Sequence, residues 1–319
     1  MNGLVTLSQT ETQERPPLSL IRSPYRTETF MFCPAKSYLQ TVEHLELVSS
    51  RSLIARVVGS ALAEGSALIH KWWAGQGTSE PPNHQCLVAA KQRALQYFNL
   101  YIAHLGKSGI TIEPSSYSQK PIEIARVLER YSEALPLRGY QILDVERELP
   151  NHGRCKIDLG VVTPGGDLAV IDFKYKSNLA QEYRQRTVSR YLRSFQFQMY
   201  PWAYSEYSQK PVPLMYLLLV VFRPGFNVSL IPQEVCPEYQ QVWLKSAHQV
   251  WKDMAEVKAG TRQLTVNPTH EDNYGLCEMA GVCLDNKMDV EAAVRSGLYA
   301  RVGKFDFEAA LAAEELVAA

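Results

Sequence analysis

The sequence predicts an α/β sandwich preceded by a helical extension. Residues 34–105 are filled mostly by Ala-rich stretches with helical periodicity. Three short β-rich runs separated by turn-formers follow Gly139. A further helix then leads into an 11-residue apolar run, Val212 to Phe222. Helices, three strands, a helix and a strand in that order bury one sheet between helical layers.

Residues 1–27 are polar and Pro-containing and read as a flexible lead-in. Leu53 to Trp73 and Cys86 to Leu105 have the helical pattern, and the loop GQGTSEPPN (75–83) stops the first helix with Gly and Pro. A third helix is expected from Pro121 to Leu135, completing a helical N-terminal region over 28–138. Tyr140 to Glu148, Cys155 to Val162 and Leu168 to Tyr175 read as a three-stranded meander, with turns at Pro150 to Gly153 and Thr163 to Asp167. Next come a helix from about Gln181 to Tyr204, the strand Leu214 to Phe222, a turn at Arg223-Pro224-Gly225, the strand Phe226 to Ile231 and the helix Pro237 to Lys258. The core is thus expected over 139–260, with an irregular Cys-bearing segment at 261–287 and an acidic Ala-rich tail at 288–319. That tail packs as a helix, docks a partner or stays mobile; its pattern leaves all three open.

Composition narrows the class. With 46% hydrophobic residues the chain can bury a substantial core, and 33 Lys+Arg against 33 Asp+Glu exclude a protein that coats nucleic acid by bulk charge. The apolar run falls far short of the ~20 residues needed to cross a bilayer. The first residues lack the basic start and apolar core of a secretory signal, so a cytoplasmic protein without a membrane partner is expected. Six cysteines are too sparse for a disulfide scaffold, and those at short spacing suit metal or cluster ligands. Cys86, Cys155 and Cys236 lie on apolar patterns and read as small core residues.

Chemistry concentrates on the meander. Side chains two apart on a strand share a face, so Asp172 and Lys174 in IDFKYK point the same way. If Pro164-Gly165-Gly166 is a three-residue hairpin loop, Thr163 pairs with Asp167 and Asp158 falls opposite Asp172. A two-residue loop would shift the register and separate the acids, leaving an ordinary solvated hairpin. Directly opposed carboxylates require raised pKa values or a bound cation. Mg²⁺, a hard ion, accepts carboxylates, waters and substrate phosphate, and an adjacent lysine would orient or deprotonate the attacking water. Glu146 and Glu148 share a face of the preceding strand, and one of them could approach the same ion.

These residues resemble the PD-(D/E)xK nuclease superfamily: Asp158 after a Gly-containing turn, then Asp172-Phe173-Lys174 on the next strand. Gln196-Phe197-Gln198-Met199-Tyr200 on the following helix resembles the QxxxY motif of the RecB-like branch, and Gln196 and Tyr200 share a helix face at i, i+4. Gly65 to His70 fits the N-terminal helix whose histidine supplies a further metal ligand, although the glycine lies one residue further away than usual. The resemblance implies a restriction-endonuclease-like core, a mixed sheet flanked by helices. It implies Mg²⁺ or Mn²⁺ held by His70, Asp158 and Asp172, a water positioned by Lys174, and support from Gln196 and Tyr200.

The AddB subunit and CRISPR-associated RecB-like exonucleases carry four cysteines around a 4Fe-4S cluster, one before the core and three after it. Cys33-Pro34 resembles the first, and Cys277 and Cys283 the last two. The remaining cysteine is absent, and His270 stands near its place as a reasonable ligand for a cluster or zinc.

From Lys174 to Arg193 the chain carries Lys174, Lys176, Arg184, Arg186, Arg190 and Arg193 against Glu182 alone, +5 in twenty residues. Tyr175, Tyr183 and Tyr191 interleave with these charges and could stack on unpaired bases. A solvated helix face is the plainer explanation of the same run. The resemblance implies a metal-dependent DNA nuclease, an exonuclease on single strands or duplex ends, in recombination, repair, phage or defence DNA processing. The alternative is a catalytically weak RecB-like module that binds DNA or a partner in a recombination or defence complex.

Overall fold

The computed structural model describes residues 28–31, 33–41, 45–47, 51–149, 155–259, 261–263, 271–272, 275–277, 279, 281–285 and 289–318. Helix α1 (Pro34–Thr41) and strand β1 (Leu45–Leu47) precede three core helices, α2 (Arg51–Gln76), α3 (His84–Lys107) and α4 (Lys120–Ala134). The meander follows as β2 (Gln141–Glu148), β3 (Lys156–Val162) and β4 (Leu168–Asn178). After α5 (Gln181–Leu192) and α6 (Phe195–Ser208) come β5 (Leu214–Arg223), β6 (Asn227–Glu234) and α7 (Pro237–Ala259). The chain then passes through α8 (Val290–Arg295), β7 (Tyr299–Arg301) and α9 (Phe307–Ala318).

The five strands β2 to β6 form one mixed sheet in sequence order: β2-β3-β4 antiparallel, β4 parallel to β5, and β5 antiparallel to β6. The parallel step is the one whose connection, α5 and α6, is long enough to cross back over the sheet. Alternation along the central strands feeds two cores. Ile171, Phe173, Leu218 and Val220 face α2, α3 and α4, whereas Val170, Leu217 and Leu219 face α6 and α7. Strand β5 is therefore apolar along nearly its whole length, as a strand covered on both faces must be. Helix α2 meets α3 and α4 at Gly65, where an added Cβ would lie 2.7 Å from Leu128 Cδ1 and 2.9 Å from the Ala90 carbonyl. By length and composition α2 could also cross a membrane from Leu53 to Gln76. Here it is the central helix of the first core, with Val57, Ala61, Leu62 and Ile69 fully buried.

Two expectations change. The single helix over 181–204 is two helices, broken at Arg193 and Ser194, where Ser194 turns extended (φ −67°, ψ 156°) and starts α6. Glu28 accepts the Phe195 backbone N–H there, satisfying one of the amides a helix start leaves open. The tail left open above folds back on the N-terminal region: β7 pairs antiparallel with β1, and the segment entering α9 lies on α3. Phe305 and Phe307 contact the Tyr97 ring, and Arg93 lies over the Phe307 ring while bonding Glu64 and Glu308.

Candidate active site

The site forms where the β3–β4 ladder stops. Thr163 N–H donates to the Asp167 carbonyl at 2.8 Å, closing the three-residue loop Pro164-Gly165-Gly166, with Gly166 in the left-handed region at φ 92°. Ladder pairs then run from Val162↔Leu168 to Leu159↔Ile171. The next pair in this register is Asp158 opposite Asp172. The ladder ends here, and the Asp158 carboxylate takes its place by accepting the Phe173 N–H through Oδ2 at 2.7 Å. The Asp172 side chain is fully buried (0%). Lys174 Nζ donates to Asp172 Oδ1 at 2.7 Å. It lies equally close to Oδ2 (2.7 Å), but without hydrogen-bonding geometry, so that oxygen has no hydrogen-bond partner.

A third carboxylate joins from β2. The pairs Val145↔Leu159 and Arg147↔Ile157 bracket Glu146 across from Asp158. Glu146 adopts φ 52°, a left-handed conformation costing a non-Gly residue on the order of 1–3 kcal/mol. The neighbouring ribbon changes sides at this point: Leu159 is buried with α2–α4, but Ile157, only two residues away, is buried with α6 and α7. Glu146, Asp158 and Asp172 thereby form a row across three strands. Lys156 pairs with Glu146 as Lys174 does with Asp172. Glu148 lies outside the row, exposed on the strand and in register with Lys156.

Burial pushes the Asp172 carboxyl up to about 7, opposed by Lys174 and reinforced by Asp158. Burial likewise raises Glu146 to about 7, reinforced by Asp158 and opposed by Lys156. Asp158 is raised by burial as well, against the pull of Lys174 and the Phe173 N–H. Burial also works against the Lys174 ammonium, but Asp172 and Asp158 outweigh it and hold the group above its ordinary value. Three carboxylates against two lysines leave a negative, oxygen-rich group, with an orphaned buried oxygen on Asp172. Such a donor set suits a hard divalent cation. Among the described residues no group of three or more His, Cys, Asp and Glu is arranged to hold a metal ion, so a cation here would take water and substrate phosphate beside the carboxylates.

The QxxxY pair borders the same acids. Gln196 Nε2 donates to the Tyr200 hydroxyl at 2.6 Å, and burial, then Asp158 and Asp172, raise that phenol well above its ordinary value. Helix α6 is seated by Tyr204, whose hydroxyl donates to Asp144 Oδ2 at 2.7 Å and lies where a Cβ on Gly160 would be, 2.2 Å away.

His70 is not brought to this group. Its Nε2 shares a 2.6 Å hydrogen bond with the Tyr131 hydroxyl, and its ring packs among Trp73, Tyr131 and Phe173. Phe173 alternates away from Asp172 and Lys174, so this aromatic nest lies on the opposite side of the sheet. Burial lowers the imidazole to about 3 and keeps it neutral. The extra residue between Gly65 and His70 supplies the reason: one position rotates a side chain about 100° around a helix.

The basic run divides. Arg184 bonds Asn227 Oδ1 at 2.8 Å and Ser229, pinning α5 to β6, and Arg190 faces Glu28. Lys176 lies 5.6 Å over the Tyr191 ring. Arg186, Arg193 and Tyr183 are exposed on a helix with no buried residue.

Cys33 and Cys277 are buried and Cys283 is half-buried. The Cys283 thiol is pushed up to about 11 by burial and by the neighbouring Cys33 and Cys277, so these three sulfurs converge. Lys36 N–H donates to Cys33 Sγ at 3.4 Å. His270 lies outside the described residues. Of the three cysteines expected in the core, Cys155 is buried and Cys86 half-buried, but Cys236 is exposed, its thiol donating to Glu238 at the start of α7. A cysteine at a helix entry is not held to the apolar face that its neighbours suggest.

Among curated proteins, none matches the chain. A crystal structure from Eubacterium rectale, described as a "Putative exonuclease", is similar at 13% identity and a TM-score of 0.45, covering 88% of this chain and 94% of that one. The PD-(D/E)XK nuclease superfamily matches residues 22–284, a span that includes every member of the acid row and its lysines. The chain belongs to the PD-(D/E)XK nuclease superfamily.

Proposed function

We propose that this protein is a metal-dependent deoxyribonuclease of the RecB-like branch, acting as an exonuclease on single-stranded DNA or duplex ends. The observation that carries the reading is the row Glu146, Asp158 and Asp172, with Lys174 at 2.7 Å from Asp172. Asp158 and Asp172, with Glu146 beside them, would hold Mg²⁺ or Mn²⁺, which when bound supplies charge stabilisation at the scissile phosphate. Held above its ordinary value, Lys174 works as an ammonium: it orients the attacking water and meets the charge that develops on phosphate oxygen. Gln196 and Tyr200 steady the same end of the acid row. Arg186 and Arg193 on the exposed face of α5 contact the phosphate backbone, and Tyr183 stacks on an unpaired base.

Cys33, Cys277 and Cys283, with His270 as the fourth ligand, would hold a 4Fe-4S cluster or zinc that staples the segment before the core to the one after it. Iron, sulfide and zinc analysis of anaerobically purified protein tests this, and absence of all three overturns it.

The seat of His70 away from the acids favours one second reading, a catalytically weak module that binds DNA or a partner. A fluorescent oligonucleotide separates the two. Cleavage with Mg²⁺ or Mn²⁺ that EDTA stops, and that Asp172→Ala abolishes, supports the enzyme. Salt-sensitive binding without cleavage supports the module.

A further inference from the structure

A groove of about 580 Å³ opens between the first turns of α2, the turn that leads into α4 and the end of β4. Its cations are Arg56, Lys120 and Lys176; Ser116 and Asn178 add polar groups, Ile54 and Val58 supply an apolar wall, and no carboxylate lines it. The acid that organises it lies below. Glu123 is 5% exposed and holds Lys120 Nζ at 3.0 Å, the Tyr175 hydroxyl and, at 3.9 Å, Arg223. Glu123 is held by two cations, Lys120 and Arg223, and it fixes Lys120 and Tyr175 before any ligand arrives.

Most of the groove lies on the α2–α4 side of the sheet, with Tyr175, and it meets the acid row's side at Lys176, along the edge of β4 that β3 leaves open beyond Leu159↔Ile171. Lys176 follows Lys174 by two residues on the same strand face, about 6.6 Å along it, and its cation–π contact with Tyr191 joins the groove to α5. A cleft of this volume takes a nucleotide or two of one strand rather than a duplex. Cations and an apolar wall in one lining match what a single strand presents, phosphates on one side and sugar and base on the other.

We propose that this groove holds one DNA strand next to the scissile nucleotide, with Arg56, Lys120 and Lys176 on successive phosphodiesters. The proposal rests on the nuclease reading above and adds the path of the substrate and its single-stranded form.

The test is fluorescence anisotropy of a single-stranded 12-mer in EDTA across a salt series, with wild type, Arg56→Gln and Arg56→Gln/Lys120→Gln. Each lost contact should lower the slope of log K against log salt by about 0.7, and the double variant should bind about 10-fold more weakly. Hydrolysis of bis(p-nitrophenyl) phosphate with Mn²⁺, a diester too small to reach the groove, should be unchanged in both variants. Arg56 is exposed, so the single variant keeps the measurement available if the double variant folds poorly. Unchanged affinity and slope in both variants overturn the groove. If wild type with Mn²⁺ leaves the small diester and the 12-mer intact, the nuclease reading fails instead, and the salt slopes still decide the groove.

Discussion

Asp172→Asn replaces a wholly buried carboxylate with a neutral group of the same shape. In the wild type, burial holds that carboxyl at about 7 rather than its ordinary 3.8. A group raised on folding contributes stability that is present below its unfolded pKa and is lost as pH rises through the folded one. Three units at about 1.4 kcal/mol each put roughly 4 kcal/mol of metal-free stability at stake between about pH 4 and pH 8. Asparagine does not titrate, so the variant escapes this loss. It also deprives Lys174 of its partner, and breaking a buried pair costs about 3–5 kcal/mol. Stability at a single pH mixes the two effects, whereas the pH slope isolates the carboxylate. Urea denaturation in EDTA, followed by the fluorescence of the five tryptophans, should show the wild type losing about 2–4 kcal/mol more than the variant from pH 5 to pH 8, the loss common to both coming from Glu146, which burial likewise raises to about 7. Mn²⁺ at pH 8 should restore the wild type and leave the variant unmoved. Equal pH slopes, or equal stabilisation by Mn²⁺, would refute the argument that Asp172 is a strained metal ligand.

Asp158→Asn keeps an acceptor for the Phe173 N–H, whereas Asp158→Ala leaves it open; melting curves should place the alanine variant about 1–3 kcal/mol lower, while an oligonucleotide assay finds both inactive. Lys174→Ala should cut kcat on a fluorescent single strand by 100-fold or more at saturating Mn²⁺, with the circular dichroism spectrum unchanged. Gly160→Ala drives a methyl to 2.2 Å from the Tyr204 hydroxyl, so α6 must move by about 1 Å; expected are a loss of about 1–3 kcal/mol and, with Gln196 and Tyr200 displaced, about 100-fold in kcat. His70→Phe should leave the Mn²⁺ concentration for half-maximal activity unchanged, since the imidazole bonds Tyr131 instead of the acid row; a tenfold rise would return His70 to the metal site.

The acid pair was legible because a hairpin loop of known length fixes parity. Once Thr163 pairs with Asp167, the position of Asp158 opposite Asp172 is arithmetic. The sandwich was legible for a similar reason, since strand and helix periods sort residues onto faces. What escaped depends on single dihedrals and on distant segments. Glu146 and Glu148 were both candidates for the row, and what singles out Glu146 is its own left-handed backbone, which an alternating strand pattern does not announce. The break at Ser194 falls inside an unbroken apolar period, and Ser194, a favoured helix-start residue, was the one available signal. His70 matched a motif in everything except one residue of spacing, and on a helix that is enough to change faces. The tail could not be placed because its partners, β1 and α3, lie some 200 residues earlier in the chain.

The chain's neutrality, 33 charges of each sign, resolves into an inside and an outside. Inside, three carboxylates are forced together at the point where β3 and β4 part, and two lysines cannot neutralise them. Apolar packing alone would not select such a group, because each buried acid with a raised pKa lowers the stability of the metal-free fold at neutral pH. Outside, the exposed face of α5 and the groove at the end of β4 carry cations. On the proposed reading, a polyanion drawn along those cations would be brought to an acid row that is short of positive charge, and a divalent ion shared between protein and phosphate would make up the shortage. Electrostatics would then couple the two binding events: the metal should bind more tightly when DNA is present, and DNA more tightly when the metal is.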